Sequence, residues 1–363
     1  MRKRIEYIDV VETLAIFFVV CCHNKALLGQ SVLATAILQF TTTVAVPLFF
    51  MANGALLMSR PLDLKKHLTK TGMLVTAVFA WRLLTWFLVM PFDTKTYSQI
   101  GAVNLINYLL GGTTSAYIPV EDYWYMYRLI AIYLFLPIIK LAYNHDSKVF
   151  KYLMVIMFVS AFVVTEIDFI FKLASKWYGI GLISVGSFRD KIFPLSLIAD
   201  SGFYFLAGDF LHRNYYQKEI SKKTRIRLAI TAVAAYALLL FQKLLQQGTL
   251  SGSWQRLDND YLRIGTLVLA SSIYALFANT DFSNKKHLNR YCQFVSVRTM
   301  NIYMIHMYLI YVFNRLLVPK TSFRGVGIYL LSTLGIAIVV LLVTEPFTYI
   351  GFIRKILGLQ PRR

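Results

Sequence analysis

The sequence is poor in charged residues and in cysteine, and each scarcity excludes a class of protein. Charged residues make up 15% of the 363 residues, whereas hydrophobic residues make up 57% and the mean hydropathy is +0.56. A soluble domain is closer to half apolar and a quarter charged. The three cysteines, Cys21, Cys22 and Cys292, are too few for a disulfide framework and are expected to act as small apolar residues. The composition therefore favours an integral membrane protein.

Acidic residues are also scarce. The sequence has 18 Asp and Glu against 38 Lys and Arg, which gives a formal net charge of +20. Such an excess is common in nucleic-acid-binding proteins, but these show a basic face or an RNA-binding motif, and the sequence has neither. We predict no nucleic-acid partner and no metal site.

Apolar stretches long enough to cross a bilayer recur ten times along the chain. They lie near 7–28, 36–58, 71–91, 123–143, 150–172, 192–212, 226–243, 261–279, 296–316 and 325–350. The run near 100–110, IGAVNLINYLL, is too short to span and predicts an interfacial helix or a re-entrant loop. With a cytoplasmic N-terminus, the inside segments carry about twice as many Lys and Arg as the outside ones, in agreement with the positive-inside rule. The sequence thus predicts an all-α polytopic bundle of about ten transmembrane helices with both termini cytoplasmic.

The first span, DVVETLAIFFVVCCHN, carries a polar stripe on an apolar helix. Glu12 and His23 are eleven residues apart, about 20° more than three helical turns, and Asp9 lies close to the same face. A charge inside the bilayer is costly and marks a candidate functional site. For Glu12 two interpretations stay open, a cavity-lining residue or a group that reaches headgroup water; for Asp9 the second is favoured. We hypothesise that the stripe lines a passage ending at His23.

Other polar groups interrupt later spans. His306 lies mid-span in TMNIYMIHMYLI and Arg82 lies mid-helix in AWRLLTWF. For Arg128, in YWYMYRLIAIYL, an interfacial position near a helix end is the favoured explanation. A single buried histidine is more often a packing residue, but two of them near carboxylate and arginine suit proton transfer at neutral pH. A basic inner rim would also suit an anionic cytosolic ligand such as a phosphorylated cofactor.

Several segments together resemble the acyltransferase-3 family of integral membrane O-acyltransferases. RIEYIDVVETLAIFFVVCCH resembles the opening helix of that family, and VPLFFMANGALLMSR its Pro-Leu-Phe-Phe…Ser-Gly-Phe-Leu segment. EDYWYMYRLIAIYLFLPII is similar to its aromatic fourth helix, GFYFLAGDFLHR to its Phe-Phe-Leu-x-Gly stretch, and NIYMIHMYLI to its Ile-Tyr-Leu-x-His stretch. The last helix, with TEPF, also fits. The resemblance covers nearly the whole chain, in order.

The resemblance implies an enzyme of the cell membrane, in bacteria the cytoplasmic membrane. Such an enzyme moves an acyl group, usually acetyl, from cytosolic acyl-CoA to a hydroxyl of a cell-surface glycan or its lipid-linked precursor. The implied partners are acetyl-CoA as donor, the glycan or lipid-linked sugar as acceptor, and membrane lipid.

The resemblance also implies roles for individual residues. His23 is implied to be the catalytic histidine, as general base or acyl carrier, and His306 takes the place of the family's late histidine. Glu12 replaces the family's usual basic residue and is included among the catalytic candidates. Lys66 and Lys70, in KKHLTK, stand for the cytosolic basic pair. Together with Arg82 these two lysines are the predicted donor-binding residues.

The acceptor is expected to meet a second group of residues. Asn53, in place of the family's serine, is predicted to bind substrate together with Trp124 and Arg128. The loops near 92–122 and 244–260 are candidates for acceptor contact; the first has the polar and aromatic residues Asn104, Tyr117, Asp122 and Trp124.

Residues 1–363 are expected to form one transmembrane domain without an appended extracytoplasmic domain. Two other classes of function stay open. The first is a secondary transporter or flippase for a glycan or lipid-linked carrier, although the sequence shows no internal repeat. The second is a degenerate, structural protein of a polysaccharide assembly complex.

Overall fold

A computed structural model describes residues 4–28, 32–89, 101–110, 123–179, 181, 185–192, 196–247, 260–316 and 325–359. Within these ranges every regular element is helical, which confirms the all-α prediction. The α-helices of the described residues are, in chain order, α1 Glu6–His23, α2 Val32–Thr42, α3 Ala45–Met58, α4 Leu64–Val89, α5 Ala102–Leu109, α6 Trp124–His145, α7 Ser147–Phe158, α8 Val164–Tyr178, α9 Gly186–Ile192, α10 Ser196–Tyr215, α11 Lys222–Gln247, α12 Ile264–Ala278, α13 Lys286–Ser296, α14 Thr299–Leu316, α15 Val326–Thr344 and α16 Gly351–Ile356. A π-helical turn, Val159–Val163, joins α7 to α8, and 3₁₀ turns cover Asp260–Leu262 and Glu345–Thr348.

Six helical runs within the described ranges are long and apolar enough to cross a bilayer. They are Ala34–Met58, Leu64–Leu88, Trp124–His145, Lys148–Tyr178, Lys222–Gln246 and Val326–Thr348. The spans predicted near 7–28, 192–212 and 296–316 are also helical, as α1, α10 and α14, but they are not among these six runs. The chain is a multi-pass membrane protein; the count of ten spans and the cytoplasmic termini stay predictions.

The outer faces of the long helices are apolar. Val233 of α11 is 70% exposed and Leu331 of α15 is 68% exposed. Helices satisfy their own backbone hydrogen bonds, so such faces are stable in lipid and would be a liability in water. The run predicted near 100–110 is helical as α5, whereas its place at the membrane interface stays a prediction.

The chain forms two compact units. The first comprises Met1–Phe18, Gln30–Leu62 and Ala131–Gln293, and the second comprises Val19–Gly29, Asp63–Ile130 and Phe294–Arg363. That both belong to one functional domain stays a prediction.

In the first unit, α3 and α10 approach each other unusually closely. A Cβ on Gly54 would lie 1.7 Å from the carbonyl oxygen of Phe205, and a Cβ on Gly208 would lie 2.1 Å from that of Met51. Glycine permits such contact between backbones and is enriched at helix crossings in membranes. Both glycines belong to segments that carry the family resemblance, so part of that resemblance reflects helix packing rather than chemistry.

In the second unit, α14 packs against α15 and α4, and α16 packs against α4. Polar contacts fix these helices. The amide of Asn24, just after α1, donates to the hydroxyls of Ser332 and Thr333 on α15 at 2.9 and 3.0 Å. Arg298 donates to both carboxylate oxygens of Glu345 at 2.9 and 3.0 Å, which ties the start of α14 to the end of α15. The end of α1 and the middle of α14 therefore belong to one tightly connected unit.

Candidate functional site

Two histidine rings lie side by side in the second unit. His23 is the last residue of α1 and His306 lies in the middle of α14, and their ring centroids are 5.4 Å apart at an interplanar angle of 58°. His306 is 1% exposed, whereas His23 is half-buried. The structure thus brings together the two histidines that the sequence singled out on separate helices.

The hydrogen bonds of His306 define its neutral tautomer. Its Nδ1 lies 2.6 Å from the carbonyl oxygen of Tyr303 and 3.2 Å from that of Ile302. A carbonyl oxygen can only accept, so Nδ1 carries the hydrogen and donates. In the neutral ring Nε2 then holds the lone pair and is the nitrogen that can take up a proton.

One tyrosine contacts this histidine, and two further tyrosines contact the same helix. The ring of Tyr303 lies 5.8 Å from that of His306, and Tyr125 of α6 packs edge-on against Tyr303 at 5.3 Å. The hydroxyl of Tyr123 donates to the carbonyl oxygen of Met304 at 3.2 Å. Sequence reasoning assigned no role to these tyrosines. Only Tyr303 had a local signal, because it precedes His306 by three residues and so shares its helical face.

Arg82 is held by tyrosines. It is 3% exposed, and its guanidinium donates to the carbonyl oxygen of Tyr108 on α5 and to the hydroxyl of Tyr127 on α6. Its guanidinium carbon lies 4.2 Å from the centroid of the Tyr108 ring. One turn later on α4, the hydroxyl of Thr85 pairs with that of Tyr123 at 3.0 Å. These contacts connect α4 with α5 and α6, so Arg82 helps to pack these helices together; its contact with the donor stays a prediction.

The predicted donor-binding lysines are accessible. Lys66 and Lys70 are both exposed on the first turns of α4 and, four residues apart, share a face. The carboxylate of Asp63 caps this helix by accepting from the backbone N–H of Lys66 at 3.0 Å. A soluble anionic ligand can therefore reach both ammonium groups.

Two predicted substrate-binding residues form a cation–aromatic pair. The guanidinium carbon of Arg128 lies 5.1 Å from the centroid of the Trp124 ring, and both side chains are half-buried. They lie four residues apart on the first turns of α6. This pair offers a flat apolar surface beside a cation.

Glu12 and Asn53 lie in the first unit and are both half-buried. The amide of Asn53 donates to the carbonyl oxygen of Phe49 at 2.9 Å, one turn earlier in α3. Asp9 is buried and pairs with Arg4 through both carboxylate oxygens. The favoured interpretation of Asp9 as a group reaching headgroup water omitted this ion pair. Participation of Glu12 and Asn53 in chemistry stays a prediction.

Most of the two predicted acceptor loops lies outside the described residues, including Tyr117 and Asp122. Asn104 lies half-buried on α5. Across the described ranges, no group of three or more His, Cys, Asp and Glu side chains is placed to hold a metal ion.

Comparison with known proteins adds one match. The family model of the acyltransferase domain of the acyltransferase-3 type matches residues 5–343. No curated protein and no solved structure matches the chain. The matched range includes both histidines and every other predicted site residue.

Proposed function

The chain belongs to the acyltransferase-3 family, and from this premise we propose that it is an O-acyltransferase of the bacterial cytoplasmic membrane. It transfers an acyl group, most simply acetyl, from cytosolic acyl-CoA to a hydroxyl of a cell-surface polysaccharide or its lipid-linked precursor. The observation that carries the proposal is the contact between His23 and His306. Two imidazoles inside a membrane protein provide proton transfer near neutral pH without a permanently buried charge.

In the proposed reaction His23 acts as the general base. The acceptor hydroxyl gives its proton to the imidazole as its oxygen forms a bond to the thioester carbonyl carbon. The carbon–sulfur bond then breaks, and coenzyme A leaves as the thiol after recovering the proton. General-base catalysis of this kind contributes roughly 10²–10⁴-fold.

His306 supports this step from the neighbouring position. Its Nδ1–H is bound to the Tyr303 carbonyl oxygen, so its basic nitrogen is Nε2. With ring centroids 5.4 Å apart, the imidazoles are close enough for one water to carry the proton between them. If His23 instead carries the acyl group covalently, His306 takes over as base.

Binding of the donor and the acceptor is assigned to side chains that are exposed or half-buried. Lys66 and Lys70 bind the phosphates of coenzyme A, and Trp124 with Arg128 contacts the sugar of the acceptor. Asn53 stays a candidate for substrate binding and Glu12 a candidate for catalysis. The accessibility of the lysines and the cation–aromatic pair support these roles.

The test is transfer of label from acetyl-CoA by the purified, reconstituted protein supplied with cell-envelope glycan. Label on the glycan in the wild type and not in His23→Ala supports the proposal, and label trapped on the wild-type protein supports an acyl-histidine. Folded wild-type protein that labels neither would contradict acyl transfer and favour the transporter or flippase, which moves its ligand without covalent change.

A further inference from the structure

The first unit contains an open cavity of about 630 Å³ where three helices end or pass. Arg60, Lys140 and Arg213 contribute to its wall, from the segment after α3, from α6 and from α10. Among the described residues that line it there is no aspartate or glutamate. The cavity is therefore lined by cations without an intervening carboxylate.

Two of these cations, Lys140 and Arg213, are held by specific contacts. Lys140 is 5% exposed, and its ammonium donates to the carbonyl oxygen of Arg60. The Nε of Arg213 donates at 3.0 Å to Asp209, which is 3% exposed behind the wall, and its guanidinium carbon lies 4.9 Å from the centroid of the Tyr143 ring. The three positive charges thus exceed the negative charge of Asp209, and two of the three are held in position by these contacts.

A second cavity of the same unit shows that this excess is local. It has a volume of about 430 Å³ and shares Tyr216 with the first. Its wall includes the acidic Glu6, Glu219 and Asp281 beside only two cations, Arg4 and Lys218, within the described residues. The backbone N–H of Ser283 binds the carboxylate of Asp281 at 2.8 Å and holds its pKa below the usual range, so that carboxylate is ionised at neutral pH. Two adjoining cavities therefore differ in the sign of their charge.

We propose that the cavity lined by Arg60, Lys140 and Arg213 is a binding site for a phosphate-bearing ligand, held through a phosphate or diphosphate group. Guanidinium groups bind phosphate oxygens with paired N–H donors, and a lysine adds a compact charge. The volume lies within the range of small-molecule sites. The same chemistry belongs to soluble phosphate compounds and to anionic phospholipid headgroups, and the experiment separates these sources. This ligand site is a separate proposal from acyl transfer. Binding to it can be measured without that reaction, so either proposal can fail while the other holds.

The soluble source is tested by isothermal titration of the purified full chain, in uncharged detergent, with inorganic pyrophosphate. We expect wild-type binding that weakens as salt rises, because salt screens exposed charges. Arg60→Gln, a change at a half-exposed position, should weaken binding about tenfold, the equivalent of one charge-assisted hydrogen bond. Lys140→Gln should weaken it similarly, while Lys140→Arg restores it in part. The exposed Lys151 is outside the lining, so Lys151→Gln should bind as the wild type does.

The lipid source is tested by native mass spectrometry of the same proteins with phosphatidylglycerol or phosphatidylcholine. Selective retention of phosphatidylglycerol by the wild type and Lys151→Gln, reduced in Arg60→Gln, supports the site with a headgroup as its ligand. Pyrophosphate binding that depends on Arg60 supports it with a soluble ligand. Absence of both effects in protein whose melting temperature is unchanged, or binding equal in all variants, would overturn the proposal. Because Arg60 is half-exposed, the test does not depend on the folding of the Lys140 variants.

Discussion

At the scale of single residues, the histidine pair explains how ionisable groups can act inside an apolar bundle. A neutral imidazole costs little to bury, and the carbonyl oxygen of Tyr303 selects the tautomer of His306. His23 is half-buried at the end of its helix and more accessible than His306. In the proposed reaction His23 therefore contacts the substrate, and His306 acts from the neighbouring buried position.

The role of His23 predicts the effect of its removal. His23→Ala should lower acyl transfer by roughly 10²–10⁴-fold, the usual contribution of a general base. Expression and melting temperature should stay near wild type, because the side chain is only half-buried. The neighbouring half-buried Cys22 provides a control as Cys22→Ala. If about half of the wild-type transfer rate remained in His23→Ala, His23 would not be part of the mechanism.

The fixed tautomer of His306 predicts a difference between two isosteres. The amide N–H of His306→Asn can replace the Nδ1–H donor, whereas neither His306→Asn nor His306→Gln supplies a base. We expect His306→Asn to melt close to wild type and His306→Gln to melt lower. In both, kcat should fall by at least about tenfold with little change in KM. Wild-type kcat in a folded His306→Asn protein would limit His306 to packing.

The accessible lysines predict a binding defect. The double variant Lys66→Glu/Lys70→Glu should raise KM for acyl-CoA more than it lowers kcat, because in the proposed function these charges contact the donor and not the reacting atoms. The difference in KM between the double variant and the wild type should be smaller at high salt, because the Debye length falls below ~8 Å and the exposed charges are screened. The exposed pair Lys148 and Lys151, reversed together, is the matched control. Equal KM values in both double variants would place the donor elsewhere.

At the scale of elements, the crossing of α3 and α10 depends on two glycines. Gly54→Ala and Gly208→Ala each place a methyl group within 2.1 Å of a backbone atom, which has no rotamer to adjust. Overpacking of this kind costs typically about 1–3 kcal/mol, so each variant should lower the melting temperature in detergent. On α15, a Cβ at Gly335 meets nothing within 4 Å, and Gly335→Ala should be neutral or gain up to about 1 kcal/mol of helix propensity. If Gly54→Ala and Gly208→Ala melted at the same temperature as the wild type and Gly335→Ala, the two helices would be able to move apart without loss of stability.

Elements were predictable from the sequence where a local pattern decides them. Apolar runs predicted helices at α4, α6 and α15, and the short run near 100–110 is helical as α5. Contacts between elements were not predictable. Periodicity placed Asp9 on a helical stripe, but its partner Arg4 precedes the helix.

The same limit applies to the candidate site. The sequence predicted His23 and His306 as separate residues, and only the packing of their helices reveals the contact. Arg82 stood out as an isolated charge, while its partners Tyr108 and Tyr127 come from two other helices. Chemistry-bearing residues can thus be recognised in one sequence, whereas their partners depend on tertiary structure.

At the scale of the whole molecule, the excess of Lys and Arg over Asp and Glu indicates how the protein is oriented in the membrane. Lys and Arg concentrate in the segments that the predicted topology places in the cytoplasm, and these include Lys66, Lys70 and the loop around Lys218. A cytosolic donor can be bound by Lys66 and Lys70 only if this orientation is correct. The proposed function therefore depends on which side of the membrane each loop occupies.

Cysteine labelling in spheroplasts tests this orientation. In a Cys22→Ala background, which leaves the buried Cys21 and Cys292, Gly181→Cys and Lys218→Cys each introduce one exposed thiol. Residue 181 lies in a segment predicted outside and residue 218 in one predicted inside. We expect a membrane-impermeant maleimide to label position 181 in intact spheroplasts and position 218 only after permeabilisation.

The same two positions also test whether α10 crosses the membrane. This helix, Ser196–Tyr215, lies between them and is not among the six apolar runs. Labelling of both positions from the same side would show that α10 does not cross the membrane. The predicted number of ten transmembrane helices would then be wrong. If position 218 were labelled from outside and position 181 only after permeabilisation, α10 would cross the membrane, but the protein would have the opposite orientation to the predicted one. Lys66 and Lys70 would then face away from the cytosol and could not receive acyl-CoA, so acyl transfer would require a donor from the opposite side.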